Sequence, residues 1–217
     1  MASDVDVCNM ALSHLGSESA VVSLSPPDGS AEAGHCKRFY ALARREALEM
    51  AAFTWAKKRA TLATVANPSD VWGYAYQLPG DCITPLRVLQ AGFFSSALLD
   101  SFTGRVVTAD ELATLTEAGG ADFQIEGRVL LTHEPDAVLI YTRDVSDLTS
   151  CSAAFVSGFS YLLASYLAGP IIKGKEGAAA GRELRMAART VLTDAAVQDT
   201  TPGSDSQNFT PSSLGVR

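Results

Sequence analysis

The chain has 217 residues, of which 47% are apolar and 19% are charged, proportions that are ordinary for a globular protein. Seventeen lysines and arginines against 24 aspartates and glutamates give a formal net charge of -7. Binding to nucleic acid or anionic lipid by counterion release needs clustered positive charge, so this balance argues against a general affinity for either. The length allows one domain with an addition or two small domains.

Two helices are predicted in the N-terminal part. Ser3 is expected to cap the first, residues 3–15, and Gly16 to end it. The second covers residues 30–59, with an apolar face at helical spacing and the basic run 57–59 at its end, interpreted as a solvated helix terminus. The residues of this helix that we expect in the core are Phe39, Tyr40, Met50 and Trp55.

The middle of the chain changes to the alternating pattern of strands, punctuated by turn residues. A hairpin around residues 126–128 is the clearest of these signals. Residues 92–121 are weakly patterned, with a short helix predicted at 110–117. The predicted strands cover residues 72–78, 86–89, 123–125, 129–131 and 137–142.

The most apolar stretch of the chain is residues 151–172, and no charge lies between Asp147 and Lys173. Its apolar residues lie on most sides of a helix, so the helix is expected to be surrounded. Gly169 and Pro170 are expected to break it, and a last helix is predicted over residues 178–197. The core residues expected from these helices are Phe155, Phe159, Leu162, Tyr166 and Leu184.

Lipid is the alternative environment for this stretch, because about 20 apolar residues suffice to span a membrane. Ser152, Ser157, Ser160 and Ser165 recur along it, however, and neither flank has a strong excess of lysine or arginine. We therefore expect the second and last helices to cover it with protein.

Together these elements predict a mainly α protein with a β insertion (α+β), in which about four helices form a bundle and a small antiparallel β region lies between the second and third long helices. Residues 1–66 and 148–199 would form the bundle, and residues 67–147 the insertion. The polar tail 200–217 is predicted to be flexible, with three apolar residues available to bind a partner. These residues are Phe209, Leu214 and Val216.

No catalytic or cofactor-binding residue is predicted, because the sequence contains no GxSxG, P-loop, dinucleotide-binding glycine or HExxH pattern. Cys8 with His35 and Cys36 is the one candidate metal site, but neighbouring helical residues point about 100° apart and converge poorly. No metal is therefore expected. Because the acidic N-terminus lacks an apolar signal region, the four cysteines are expected to be reduced and mostly buried. His14 is expected to meet the carbonyl groups that end the first helix.

Four segments together resemble the head-to-tail adaptor proteins of tailed phages, of the tail tubular protein A type. They are NMALSHLG (9–16), CKRFYALARREALEMAAFTWAKKRATLA (36–63), WGYAYQLPGDC (72–82) and FVSGFSYLLASYLAGPI (155–171). The resemblance implies a helical bundle with a β insertion and no catalytic residues or cofactor. It also implies a ring-shaped homo-oligomer, a dodecamer in the virion, that joins the portal protein to the tail nozzle protein. DNA would pass through the channel without specific binding, and the protein would be made in the host cytoplasm and have no membrane partner.

Two other classes remain open at this point. A small DNA-binding or DNA-packaging accessory protein would use basic helix faces formed by Lys37, Arg38, Arg44 and Arg45 and by Arg182, Arg185 and Arg189. A membrane-associated protein would use the 151–172 helix.

Overall fold

The computed structural model describes residues 2–89 and 120–200. It confirms the predicted α+β class: the described residues form four helices and two small antiparallel sheets. The helices are α1 (Asp4–His14), α2 (Ala31–Met50), α3 (Ala153–Ile172) and α4 (Gly174–Thr200). The strands are β1 (Lys57–Thr61), β2 (Ala63–Thr64), β3 (Tyr74–Gln77), β4 (Cys82–Leu89), β5 (Phe123–Glu126), β6 (Val129–Thr132) and β7 (Val138–Arg143).

The chain divides into two compact units. The helical unit consists of the described residues of Met1–Trp55 and Asp147–Arg217. The β unit consists of the described residues of Ala56–Ser146. The sequence analysis placed these boundaries at residues 66/67 and 147/148. The first boundary therefore lies two strands earlier than expected, because β1 and β2 belong to the β unit.

The start of α1 follows the local sequence closely. The Ser3 side chain accepts a hydrogen bond from the Asp6 amide at 3.2 Å, and the Asp6 carboxylate accepts one from the Ser3 amide at 2.8 Å. This reciprocal pair satisfies two amides that a helix start leaves without partners.

The second helix is shorter than predicted. It ends at Met50, and Ala51 is extended, with φ -153° and ψ 148°. The expectation of a helix to residue 59 was wrong, and so was the interpretation of the basic run as a helix end. Those residues lie in β1, which pairs antiparallel with β7 along its whole length. Backbone hydrogen bonds to a strand far along the chain replace those that a longer helix would have made.

Helix α3 is the centre of the helical unit, packed against α1, α2 and α4. It is the one helix of the described residues long and apolar enough to cross a membrane, but 56% of that stretch is buried inside the protein. Phe155 and Phe159 are at most 1% exposed. The ring of Phe155 lies 5.0 Å from that of Trp55, and the ring of Phe159 lies 5.2 Å from that of Tyr40. Protein side chains thus supply much of the environment that lipid would otherwise provide.

The structure separates the expected core residues into two groups. Tyr40, Phe155, Phe159 and Leu162 are buried. The other five are half-buried, so their assignment to the core was too strong: Phe39, Met50, Trp55, Tyr166 and Leu184. The partial exposure of Tyr166 has a clear cause, because its hydroxyl hydrogen-bonds to the carboxylate of Glu46 near the surface of the unit. A phenol with its polar end at the surface keeps part of its ring accessible.

Helices α3 and α4 form a hairpin with a tighter turn than expected. The break predicted at Gly169 and Pro170 and the start of the last helix at residue 178 were wrong: α3 continues through Pro170 to Ile172, and α4 begins at Gly174. Lys173 reverses the chain with φ +63° and donates its amide to the carbonyl of Gly169 at 3.1 Å. Proline removes one amide donor from the last turn of α3, and packing against α4 outweighs that loss.

The β unit contains sheets of strand order β1-β7-β4 and β2-β3-β6-β5. The predicted hairpin is confirmed: β5 and β6 pair across a turn in which Gly127 has φ +61°. The predicted strand 72–78 is real but shorter, and Tyr74 is 41% exposed, whereas Tyr76 is buried. The apolar core of this unit is formed by Leu62, Tyr76, Leu78, Cys82, Val88, Leu130, Ala137, Leu139 and Tyr141.

Three sequence-based expectations fall outside the described residues. They are the weak pattern over 92–119, the short helix at 110–117 and the partner-binding residues Phe209, Leu214 and Val216 of the tail.

Candidate assembly surfaces

A polar cluster joins three helices of the helical unit. Glu46 of α2 accepts hydrogen bonds from the Tyr166 hydroxyl of α3 and from the Arg185 guanidinium of α4. The guanidinium carbon also lies 5.6 Å from the centre of the Tyr166 ring, within cation–π range. Burial and the bond to Glu46 raise the pKa of Tyr166, and the bond to Tyr166 raises the pKa of Arg185. The cluster therefore keeps Arg185 charged and oriented.

A groove lies beside this cluster, between the end of α2 and the middle of α4. Its volume is about 650 Å³, and its lining combines cations with apolar surface. Met186 is 73% exposed there. The sequence predicted the arginine row of α4, but it did not predict the apolar surface beside it. The residues that line the groove are Glu49, Met50, Arg182, Arg185, Met186 and Arg189.

Helices α2 and α4 each expose one further large apolar side chain: Leu42 on α2, at 54%, and Val197 on α4, at 60%. A single exposed apolar residue is common on a protein surface. Together with Met186, these residues give the outer faces of α2 and α4 apolar surface that a partner can cover.

In the β unit, strand β1 forms a basic edge. Among the described residues it pairs on one side only, with β7, and four of its five residues are exposed. Lys57, Lys58 and Arg59 place three positive charges in a row on it. The Lys58 ammonium lies 2.8 Å from the Asp81 carboxylate, which also accepts the Tyr141 hydroxyl at 2.8 Å. The hydrogen bond to Asp81 raises the pKa of Lys58, so its charge is retained.

Strand β5 forms an edge of opposite charge in the same unit. Among the described residues it pairs only with β6. Gln124, Ile125 and Glu126 are exposed, and so is Asp122, which precedes the strand. Within this hairpin Gln124 donates to the Glu126 carboxylate at 3.1 Å. Two carboxylates and one exposed apolar side chain thus lie along this edge.

The residues considered for metal binding do not form a converging set. Cys8 and Cys36 meet in the core of the helical unit, each fully buried, and the hydrogen bond between their thiols raises the pKa of Cys8. Among residues 2–89 and 120–200, no three or more His, Cys, Asp or Glu side chains gather where a metal ion would fit. None of the four cysteines, all of which lie within the described residues, forms a disulfide, and all but Cys151 are buried.

The sequence analysis expected His14 to contact the carbonyl groups at the end of α1, but its ring has other partners. Its ring stacks on that of Tyr161 at 4.0 Å, and its Nε2 lies 3.0 Å from the Ser160 hydroxyl oxygen. The Ser160 hydroxyl donates to the carbonyl of Ser157, so it accepts a hydrogen bond from Nε2–H of His14. Burial lowers the pKa of His14, which favours the neutral ring.

No family model matches the chain, and no curated protein matches it.

Proposed function

We propose that this protein is a head-to-tail adaptor of a tailed phage, which assembles as a ring between the portal and the tail nozzle. One observation supports the proposal most: a β unit inserted between the second and third helices of a helical unit. A helical bundle with a β insertion is what the resemblance to the tail tubular protein A type implies. The role is structural, and the ring, a dodecamer in the virion, surrounds the path of the DNA.

The charge of the chain suits this role. A channel that lets DNA pass must not hold it by its phosphates, and a net charge of -7 opposes such retention. The exposed apolar side chains Leu42, Met186 and Val197 offer surface for neighbouring copies or for the portal.

The direct test combines the purified chain with its portal protein. Native mass spectrometry is expected to show a complex in which the number of adaptor chains equals the number of portal chains, and electron micrographs are expected to show a ring stacked on the portal. The chain alone is the control, since segments that order on binding often make assembly depend on the partner. If the mixture contains only separate components at micromolar concentration, the adaptor function is wrong.

The C-terminal tail is assigned to portal docking in this proposal. Deletion of residues 201–217 leaves all of α4 in place. The shortened chain is expected to keep its helical circular dichroism and to bind the portal more weakly, because Phe209, Leu214 and Val216 are lost. Equal binding by the full and shortened chains would remove the tail from the docking surface.

A DNA-binding accessory protein is the second candidate, favoured by the exposed Arg182, Arg185 and Arg189 of α4. It makes a different prediction: binding to duplex DNA that falls steeply as salt is raised. For the adaptor we expect weak binding even at low salt. A titration of labelled DNA at two salt concentrations distinguishes the two functions.

A further inference from the structure

The β unit has two accessible strand edges of opposite charge, and we propose that they pair with each other between neighbouring copies of this chain. The basic edge is β1, with Lys57, Lys58 and Arg59, and the acidic edge is β5 with its flanking Asp122. Strand β1 of one copy thus pairs with strand β5 of the next copy. This inference rests on the proposed ring and specifies how its subunits join.

The symmetry of a ring requires this kind of contact. A closed ring of more than two identical subunits uses a heterologous interface, in which one surface of each copy meets a different surface of the next. A single subunit must therefore carry two complementary surfaces. Edges β1 and β5 meet this requirement, since they lie in the same unit, at the outer positions of different sheets.

The backbone of β1 is oriented for such pairing. The Leu62 amide, directly after β1, donates to the carbonyl of Ala137 at 3.2 Å, on the β7 side. Because hydrogen-bonding direction alternates along an antiparallel strand, the amide and carbonyl of Thr61 and of Lys57 point away from β7. An arriving strand meets these groups in position to bond.

The backbone of β5 offers the matching groups. Its hairpin has a two-residue loop, and Glu126 and Val129, which flank the loop, are paired with each other. By the same alternation, the amide and carbonyl of Ile125 point away from β6. Pairing the two edges would satisfy these groups and cover Ile125, which is 36% exposed.

Charge decides which edges meet. Two β1 edges would bring like charges opposite each other, and so would two β5 edges, which disfavours pairing of an edge with its own kind. Contact of β1 with β5 places lysine and arginine beside aspartate and glutamate. The same charges therefore favour the heterologous ring and oppose the symmetric dimer.

A charge exchange tests the pairing on the complete chain mixed with portal. One variant carries Lys57→Glu, and the other carries Asp122→Lys and Glu126→Lys. Lys58 and Arg59 are left unchanged, because Lys58 is paired with Asp81 inside the unit and Arg59 has an interaction of its own within the chain. Each variant is expected to need about tenfold more protein for half-maximal ring formation, or to form no ring, and the three changes together are expected to restore assembly. Circular dichroism and thermal unfolding verify that each variant is folded.

A proline variant tests the backbone contribution separately. In Thr61→Pro the lost amide points away from β7, so the sheet of the subunit keeps its own bonds, whereas the bond to the neighbouring copy disappears. We expect a folded chain with impaired ring formation. The charges are unchanged in this variant, so a loss of assembly points to the strand edge itself.

Three results would overturn the pairing. The first is a ring that tolerates all of these changes, which would leave the adaptor function intact and place the subunit contact elsewhere. The second is stronger self-association after Lys57→Ser, because the charge of Lys57 would then serve only to keep the edge from aggregating. The third result applies if the unaltered chain forms no ring with portal, which would contradict the proposed function. Sedimentation of the chain alone at high concentration then tests the pairing. The pairing is wrong if no self-association sensitive to these variants is found.

Discussion

Gly177 of α4 lies against the backbone of α3 at Ala168: a β-carbon on Gly177 would lie 2.7 Å from the Ala168 carbonyl oxygen. Gly181 repeats the arrangement one turn later, where a β-carbon would lie 3.0 Å from the Ser165 carbonyl oxygen. The two helices can approach this closely because neither position has a side chain. Gly177 and Gly181 are thus packing residues.

The first prediction concerns this contact. Gly177→Ala is expected to lower the free energy of unfolding by about 1–3 kcal/mol, because a methyl group cannot displace a backbone carbonyl without moving the helix. Gly34→Ala is the matched control: it lies inside α2 with nothing within 4 Å of the added β-carbon. There alanine is expected to stabilise by about 0.5–1 kcal/mol. Chemical denaturation of the two variants measures both effects, and equal stabilisation by both would show that α3 and α4 are not closely packed.

The second prediction tests α3 as the centre of the helical unit. Leu162 is 0% exposed, so Leu162→Asp places an unpaired charge in the core and is expected to cost more than about 4 kcal/mol and prevent soluble expression. Leu42→Asp makes the same chemical change at a residue that is 54% exposed, and is expected to cost less than about 1 kcal/mol. Soluble yield and unfolding midpoints compare the two. A normally folded Leu162→Asp chain would mean that another element organises this unit.

The third prediction is a pH dependence that arises from His14. Burial holds the pKa of this imidazole below its ordinary value of 6.5, so the unfolded chain takes up the proton more readily than the folded one. The stability contributed by the neutral ring is therefore present above pH 6.5 and is lost as the pH falls through the folded pKa. The surrounding groups are the Ser160 hydroxyl, the Tyr161 ring and, in the adjoining groove, the Glu183 carboxylate.

His14→Gln provides the comparison, because its amide can still donate to Ser160 but does not titrate in this range. Between about pH 7.5 and pH 5.5, the unaltered chain is expected to lose more thermal stability than the variant. Parallel unfolding curves for the two chains across this range would show that His14 titrates equally in the folded and unfolded states.

The fourth prediction concerns the turn between α3 and α4. Lys173 has φ +63° and ψ 170°, a conformation that costs a residue with a β-carbon but not a glycine. Lys173→Gly is expected to raise the free energy of unfolding by about 1 kcal/mol. Lys175→Gly, in the first turn of α4, is the control and is expected to lower it by about 0.5–1 kcal/mol. If both variants are destabilised alike, the turn does not hold Lys173 in this conformation.

The sequence by itself determined the features whose causes are local. Ser3 and Asp6 form a complete capping pair within four residues, and Gly127 permits the turn of the β5–β6 hairpin. The apolar surface around α3 similarly required burial, and Phe155, Phe159 and Leu162 are buried. The arginine row of α4 was also visible as a helical pattern, although its groove was not.

Tertiary structure alone decided the features whose partners lie far along the chain. The basic run after Trp55 fits a helix end as well as a strand, and pairing of Lys57–Thr61 with Val138–Thr142 selects the strand. The same pairing makes β1 an edge, so the proposed contact between copies was invisible in the linear pattern. In the same way, α3 continues past Pro170 because packing against α4 outweighs one lost hydrogen bond. Local propensity leaves such choices nearly balanced, and backbone pairing and close packing between distant segments supply the free energy that decides them.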